Sequence, residues 1–288
     1  MPNPADLPYL IRLLDDESEM VQQAVSRELA AFGPSLDAEL VRLAQPPGPQ
    51  QRAALDRLLE KHRGAWLEGA WSEWHDVAGQ MEQLERALSL LAGFQSGLEC
   101  QGKVAQLLDA LAEEFRCTAT PADPRALARF LFTDKGLRGE RNNYYEPLNS
   151  NLVHVIEARS GIPISLACVY MLIGHRLGLR IRGCNWPGHF FARTVLHPGT
   201  SNETLVLVDC FNRGQVIDEA SFLKMQGPSR QAAQSVLQEE ADVTTIIARV
   251  LSYLARAYRR NEQWENSLLM LDLLKDLEHY LKTRSVRR

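Results

Sequence analysis

Two residues fit for acyl-transfer chemistry stand in a telling order: His189, in the run NWPGHFFAR, and Asp209, which ends the run LVLVD. A thiol or hydroxyl attacks a carbonyl efficiently only when a base takes its proton, and that base works best when a third group fixes its tautomer. The nucleophile itself needs a helix N-terminus, where free amides and the dipole favour thiolate and oxyanion. Such a site has three members: a nucleophile, a histidine and an aspartate. This sequence offers the last two, with the histidine opening one strand and the aspartate ending the next.

The five cysteines, at 100, 117, 168, 184 and 210, are odd in number and widely spaced, with no CxxC pair. Zinc or dithiol chemistry is not indicated, and a reducing compartment fits best. Cys168 lies more than a turn into an apolar helix and reads as a small buried hydrophobe. Cys210 directly follows Asp209, so strand alternation sends it to the opposite face. Cys184 precedes Asn185 and Trp186 near the turn into His189, yet it has no helix N-terminus to lower its pKa.

The elements that must position these residues change character along the chain. Residues 1–120 read as nearly all helix, from Leu7, Leu10, Ile11 and Leu14 through Val25 and Leu29 to Val104, Leu108, Leu111 and Phe115. The stretch LIRLLDDESEMVQQAVSRELAAFG resembles a HEAT repeat, and Trp66, Trp71 and Trp74 form a cluster better suited to core packing than to a ligand cage. After a polar loop over 133–147, Leu152, Val153 and Ile156 mark one helix. Leu166, Val169, Tyr170, Ile173 and Leu177 mark a second, ending at Gly178. Runs rich in β-formers follow at 179–185, 189–196 and 205–209, which predicts a small antiparallel sheet fed by a helix. The chain then returns to helix, and LSYLARAYRRNEQWENSLLMLDLL resembles one tetratricopeptide unit. The fold expected is α+β in three parts: a HEAT-like helical region over 1–120, the mixed core over 121–228 and a tetratricopeptide-like tail over 229–288.

The words LNSNLVHVIEARSGIPISLACVYMLIGHRLGL, NWPGHFFAR and VDCFNRG together resemble a bacterial transglutaminase-like family often labelled sirC-expression regulators, with a papain-type core. The resemblance covers about 70 residues, and members of that family also carry a C-terminal tetratricopeptide region. It implies roles in binding or site shape for Asn149, Trp186, Gly188, Phe211 and Asn212, and it also singles out Glu157, Arg159 and Gly214. Transglutaminases place their nucleophile two residues after a glycine, in a pattern like G-x-C-x-x-x-A. Gly161 and Ala167 fall on that pattern, and Pro163 then occupies the cysteine position. Proline suits the first turn of a helix but carries no nucleophile.

Ser165 is the substitute to weigh. At about 100° per residue it points roughly 200° away from Pro163 if both are helical. If the helix starts later, its hydroxyl sits where capping is the usual role. The candidate remnant triad is therefore His189, Asp209 and Ser165, read either as an acid/base pair awaiting a nucleophile or as a hydrogen-bonded brace between strands.

Hydrophobic residues make up 45% of the 288 and charged residues 24%, close to the averages for a folded globular chain. A formal charge of -4 argues against a dedicated nucleic-acid binder, and no window approaches the length needed to span a bilayer. With no secretory signal, a cytoplasmic location is expected. No metal set, phosphate loop or dinucleotide fingerprint is present, so neither cofactor nor metal is expected. The leading expectation is a non-catalytic interaction or regulatory module with a protein or peptide partner. The alternative is an amide hydrolase or acyltransferase using His189 and Asp209 with Ser165 or Cys184.

Overall fold

The computed structural model describes residues 2–14, 16–97, 100–118, 122–225 and 230–286. The boundaries expected at 120/121 and 228/229 fall outside the described residues. The chain starts with helices Leu7–Arg12 and Glu19–Ala30, whose Leu7, Ile11, Val25 and Leu29 close a small separate core with Leu36, Leu40 and Leu55. Gly48 and Pro49 then open a 22-residue helix, Pro49–Ala70, with proline at a position where no N–H is needed. This helix gives Leu55 to the small core and Leu67 and Ala70 to the large one, and so joins the two.

The large core runs from Leu67 to Leu277 and draws side chains from all three expected regions. Its axis is the helix Pro163–Arg176, in which every residue from Pro163 to Gly174 is buried. Helices Gln80–Ser96 and Cys100–Arg116 pack against it. Arg176 fixes that packing with a fork onto Glu85, at 2.7 and 2.8 Å, and a bond to Asp109 at 2.6 Å. Trp71 and Trp74 are buried in this core, while Trp66 is partly buried at its edge.

Two short strands, β1 (Arg138–Gly139) and β2 (Ser160–Gly161), pair in parallel. β1 lies inside the stretch expected as an uninterrupted polar loop. Four more strands, β3 (Ile181–Cys184), β4 (Phe191–Leu196), β5 (Thr204–Asp209) and β6 (Gln215–Asp218), form an antiparallel meander in sequence order. Side chains alternate across it, as a pleated strand requires. Ala192 and Val208 join the large core on the side of the central helix, while Phe191, Leu207 and Cys184 close a third cluster with Phe222, Leu223 and Leu237.

The tail consists of helices Val243–Arg260 and Trp264–Val286, joined by a turn through Glu262. The first buries Ile246, Ile247, Val250, Leu251 and Leu254 in the large core. No helix of the described residues is long and apolar enough to cross a membrane.

Candidate functional site

His189 precedes β4 and does not open it, which corrects the expected start of that strand. Gly188 takes a φ of 77° and the His189 amide donates to the Trp186 carbonyl at 3.1 Å, closing a turn before the ladder begins at Phe191. The left-handed backbone at 188 suits glycine, since a Cβ there would be strained. The turn aims the imidazole at the end of β5, where its Nε2 lies 3.0 Å from Asp209 Oδ1. Phe191 and Phe211 flank the ring edge-on, with centroids at 4.4 and 6.3 Å.

Asp209 is buried and fully engaged. Its Oδ1 also accepts the Asn212 amide at 3.1 Å and its Oδ2 accepts the Asn212 side-chain Nδ2 at 2.7 Å. Burial alone would raise the carboxyl, but the bonds from His189 and Asn212 outweigh it and hold the group below its ordinary value. An ionised Asp209 accepts from Nε2–H, and in the tautomer that this bond selects Nδ1 is the acceptor. No residue described here bonds Nδ1.

Asn212 passes the network outward. Its Oδ1 accepts Arg141 Nη2 at 2.5 Å, and the Arg141 guanidinium lies over the Phe211 ring at 5.2 Å. Phe211 reaches this position because Gly139 has no side chain: a Cβ there would meet the ring at 2.4 Å. The sequence reading missed Arg141. It is 71 residues from its partner and stands in what reads as a bare polar loop.

The remaining expected residues take other places. The helix begins at Pro163 with Ile162 as its cap, and Ser165 sits in its first turn, buried. The Ser165 hydroxyl accepts the Ile162 amide at 3.1 Å and donates to the Asn149 carbonyl at 2.7 Å, and it makes no bond to His189. Asn149 is buried beside it and donates its Nδ2 to the carbonyls of Asn143, at 2.7 Å, and Tyr144, at 3.2 Å. It thus ties the loop before it to the helix after it. Trp186 packs its indole edge-on against Phe222, and its carbonyl accepts Arg249 Nη1 at 3.1 Å. Glu157 pairs with Lys103 at 2.7 Å. Arg159 is the left-handed residue that ends its helix.

No cysteine joins the imidazole. Burial pushes the Cys168 thiol up to about 12 and Cys184 to about 11, and raises Cys210 as well. Cys184 packs in the cluster with Phe191 and Leu207, and Cys210 in the core under the sheet. Among the described residues no group of three histidine, cysteine, aspartate or glutamate side chains is placed to hold a metal ion.

A family model described as the transglutaminase-like superfamily matches residues 102–252, more than half of the chain. Similar proteins include a UPF0162 protein of Xylella fastidiosa strain Temecula1, 31% identical over 159 residues, or 53% of this chain and 54% of that one. A UPF0162 protein of Vibrio cholerae is 27% identical over 201 residues, 67% of this chain and 72% of its own. F-box only protein 21 of Mus musculus is 30% identical over 105 residues, 34% of this chain but 16% of the mouse protein. The chain therefore spans about half the length of the Xylella relatives it matches. No solved structure matches. A buried helix opening at Pro163, a meander sheet, and an imidazole held by the aspartate of the next strand sit inside the matched region, and the chain belongs to the transglutaminase-like superfamily.

Proposed function

We propose that the chain is a transglutaminase-like module that has given up thiol acyl transfer and acts by binding a protein or peptide partner, in a regulatory or assembly role inside the cell. The observation that carries this is the state of the nucleophile position: Pro163 fills it, and the nearest hydroxyl along the helix, Ser165, is spent on Asn149 and Ile162. A hydroxyl already donating to a main-chain carbonyl is a poor attacking group. The thiols of Cys168, Cys184 and Cys210 are buried and pushed toward the neutral form, which neither attacks nor ligates. Helices flanking the core on both sides offer the extended surfaces that partner binding uses.

The test has two arms on the full chain. Iodoacetamide at mildly alkaline pH is expected to modify the exposed Cys117 and to leave Cys168, Cys184 and Cys210 unmodified, read by mass spectrometry of digests. Affinity capture is expected to yield a saturable partner that survives His189→Ala and is lost on changing surface residues of the flanking helices. A fast-reacting thiol in the core, or His189-dependent release of ammonia from a glutamine peptide, overturns the reading.

One observation favours a second reading, an amide hydrolase. The Asp209-held imidazole keeps Nδ1 available to take a proton from water or from a nucleophile carried by the substrate.

A further inference from the structure

Beside the imidazole pair, on the far side of Asn212, the surface carries a cavity of about 400 Å³. Three arginines line it: Arg138 on β1, Arg141 just after it and Arg213 in the turn after β5. The backbone under them is fixed. β1 is held between β2 and the Phe211 carbonyl, which accepts the Gly139 amide at 3.1 Å, and Arg213 and Gly214 hold the turn with φ of 58° and 69°. Arg141 is committed to Asn212 and Phe211, but neither the Arg138 nor the Arg213 side chain has a hydrogen bond or ion pair among the described residues. Two arginines thus line a shared hollow without a counter-ion from the described residues, on a chain whose overall charge is -4.

The one carboxylate in the lining, Glu140, is already compensated. It accepts the amides of Asn142 at 2.7 Å and Asn143 at 3.0 Å and the Ser160 hydroxyl at 3.0 Å. Against three arginines this single carboxylate leaves the hollow with a net positive charge. A planar carboxylate matches a guanidinium fork. The Phe211 ring supplies an apolar wall for the methylenes of an acidic side chain. The acidic character of the whole chain opposes long-range attraction of a nucleic-acid polyanion.

We propose that this hollow seats a glutamate or aspartate side chain of a partner protein, with Arg138 and Arg213 as the carboxylate clamp and Arg141 as the fixed wall. The site rests on the reading of the chain as an interaction module and gives that module its ligand chemistry. A bound carboxylate here lies one asparagine away from the imidazole pair, so the old acyl-transfer centre becomes the support of a recognition site.

The test is fluorescence anisotropy with the full chain and a labelled tetraglutamate peptide, against tetraglutamine as the neutral probe. The tetraglutamate peptide is expected to bind saturably and the tetraglutamine peptide not to. The double variant R138Q/R213Q is expected to weaken tetraglutamate binding by about tenfold or more, the effect of losing roughly 1.4 kcal/mol. R180Q, just before β3 and paired with Glu240 away from the hollow, should leave binding unchanged. Should the double variant fold poorly by circular dichroism, R213Q alone is expected to give a smaller loss in the same direction. Equal binding by the wild type and the clamp variants overturns the proposal. So does displacement of the peptide by inorganic phosphate at concentrations where acetate has no effect, or tighter binding of a thymidine oligonucleotide through the same arginines. If the peptide fails to bind while affinity capture still returns a saturable partner, this site falls and the module reading stands. If the peptide binds and His189-dependent amide cleavage is measured, the module reading falls and the site stands.

Discussion

At the scale of single residues, the bond between His189 and Asp209 is a stability device. Asp209 has an ordinary value of 3.8 and is held below it in the fold. A carboxyl with a depressed folded value stabilises fully above its unfolded value and loses that contribution as pH falls through the folded one. Asp209→Asn is therefore expected to cost about 1–3 kcal/mol near pH 7, from a charge-assisted bond in a largely buried place. The difference should shrink at a second pH well below 3.8, as the wild-type carboxyl is itself protonated through its lowered folded value. Urea unfolding of both proteins at the two pH values measures this, and a gap that stays constant with pH would show that Asp209 acts by shape alone.

Order along the chain is what made His189 and Asp209 legible in the sequence, because strands joined by short turns bring their ends together. Arg141 was not legible. Its bond to Asn212 spans 71 residues, and a polar loop gives no periodicity from which to read a direction. Ser165 was legible only as a pair of alternatives, since its role depends on where the helix starts. The cap at Ile162 decides that, and an isoleucine gives no capping signal in sequence.

At the scale of elements, the turn between β5 and β6 carries Phe211, Asn212 and Arg213 and closes on Gly214. A methyl group at Gly214 would meet the Phe132 ring at 2.4 Å on a backbone with φ of 69°. Gly214→Ala combines a left-handed strain with a clash against a buried aromatic ring, and is expected to destabilise by roughly 2–4 kcal/mol. Urea midpoints check it, and a change under about 0.5 kcal/mol, the range of ordinary surface substitutions, would mean the turn relaxes freely. The helices around this turn were readable from their apolar stripes, above all Pro163–Arg176 with Gly178 beyond its end. β6 was not, because Gln215–Asp218 has only two apolar residues between polar ends. The pair β1 and β2 was hidden for a related reason: two residues are too few to show alternation.

At the scale of the whole molecule, the tail helices are part of the fold's interior. Helix Val243–Arg260 places Ile246, Ile247, Val250, Leu251 and Leu254 in the large core, all almost fully buried. At about 1.5–3 kcal/mol for each large apolar side chain, removing this helix forfeits an amount comparable to the total stability of a typical domain. A chain ending after Gln238 is therefore expected not to fold, with no cooperative thermal transition by circular dichroism, whereas the full chain should show one. A cooperative transition in the shortened chain would make the tail an accessory.

The same helix holds Tyr253, whose hydroxyl lies 2.6 Å from the Tyr144 carbonyl and 2.8 Å from that of Glu146. These carbonyls belong to the segment that follows Arg141, and they leave the ribosome more than a hundred residues ahead of the tyrosine that fastens them. A nascent chain thus carries this segment long before the hydroxyl that latches it. A polypeptide ended before position 253 lacks both that latch and the core contacts of its helix, so the segment after Arg141 is fastened only when the tail has been made.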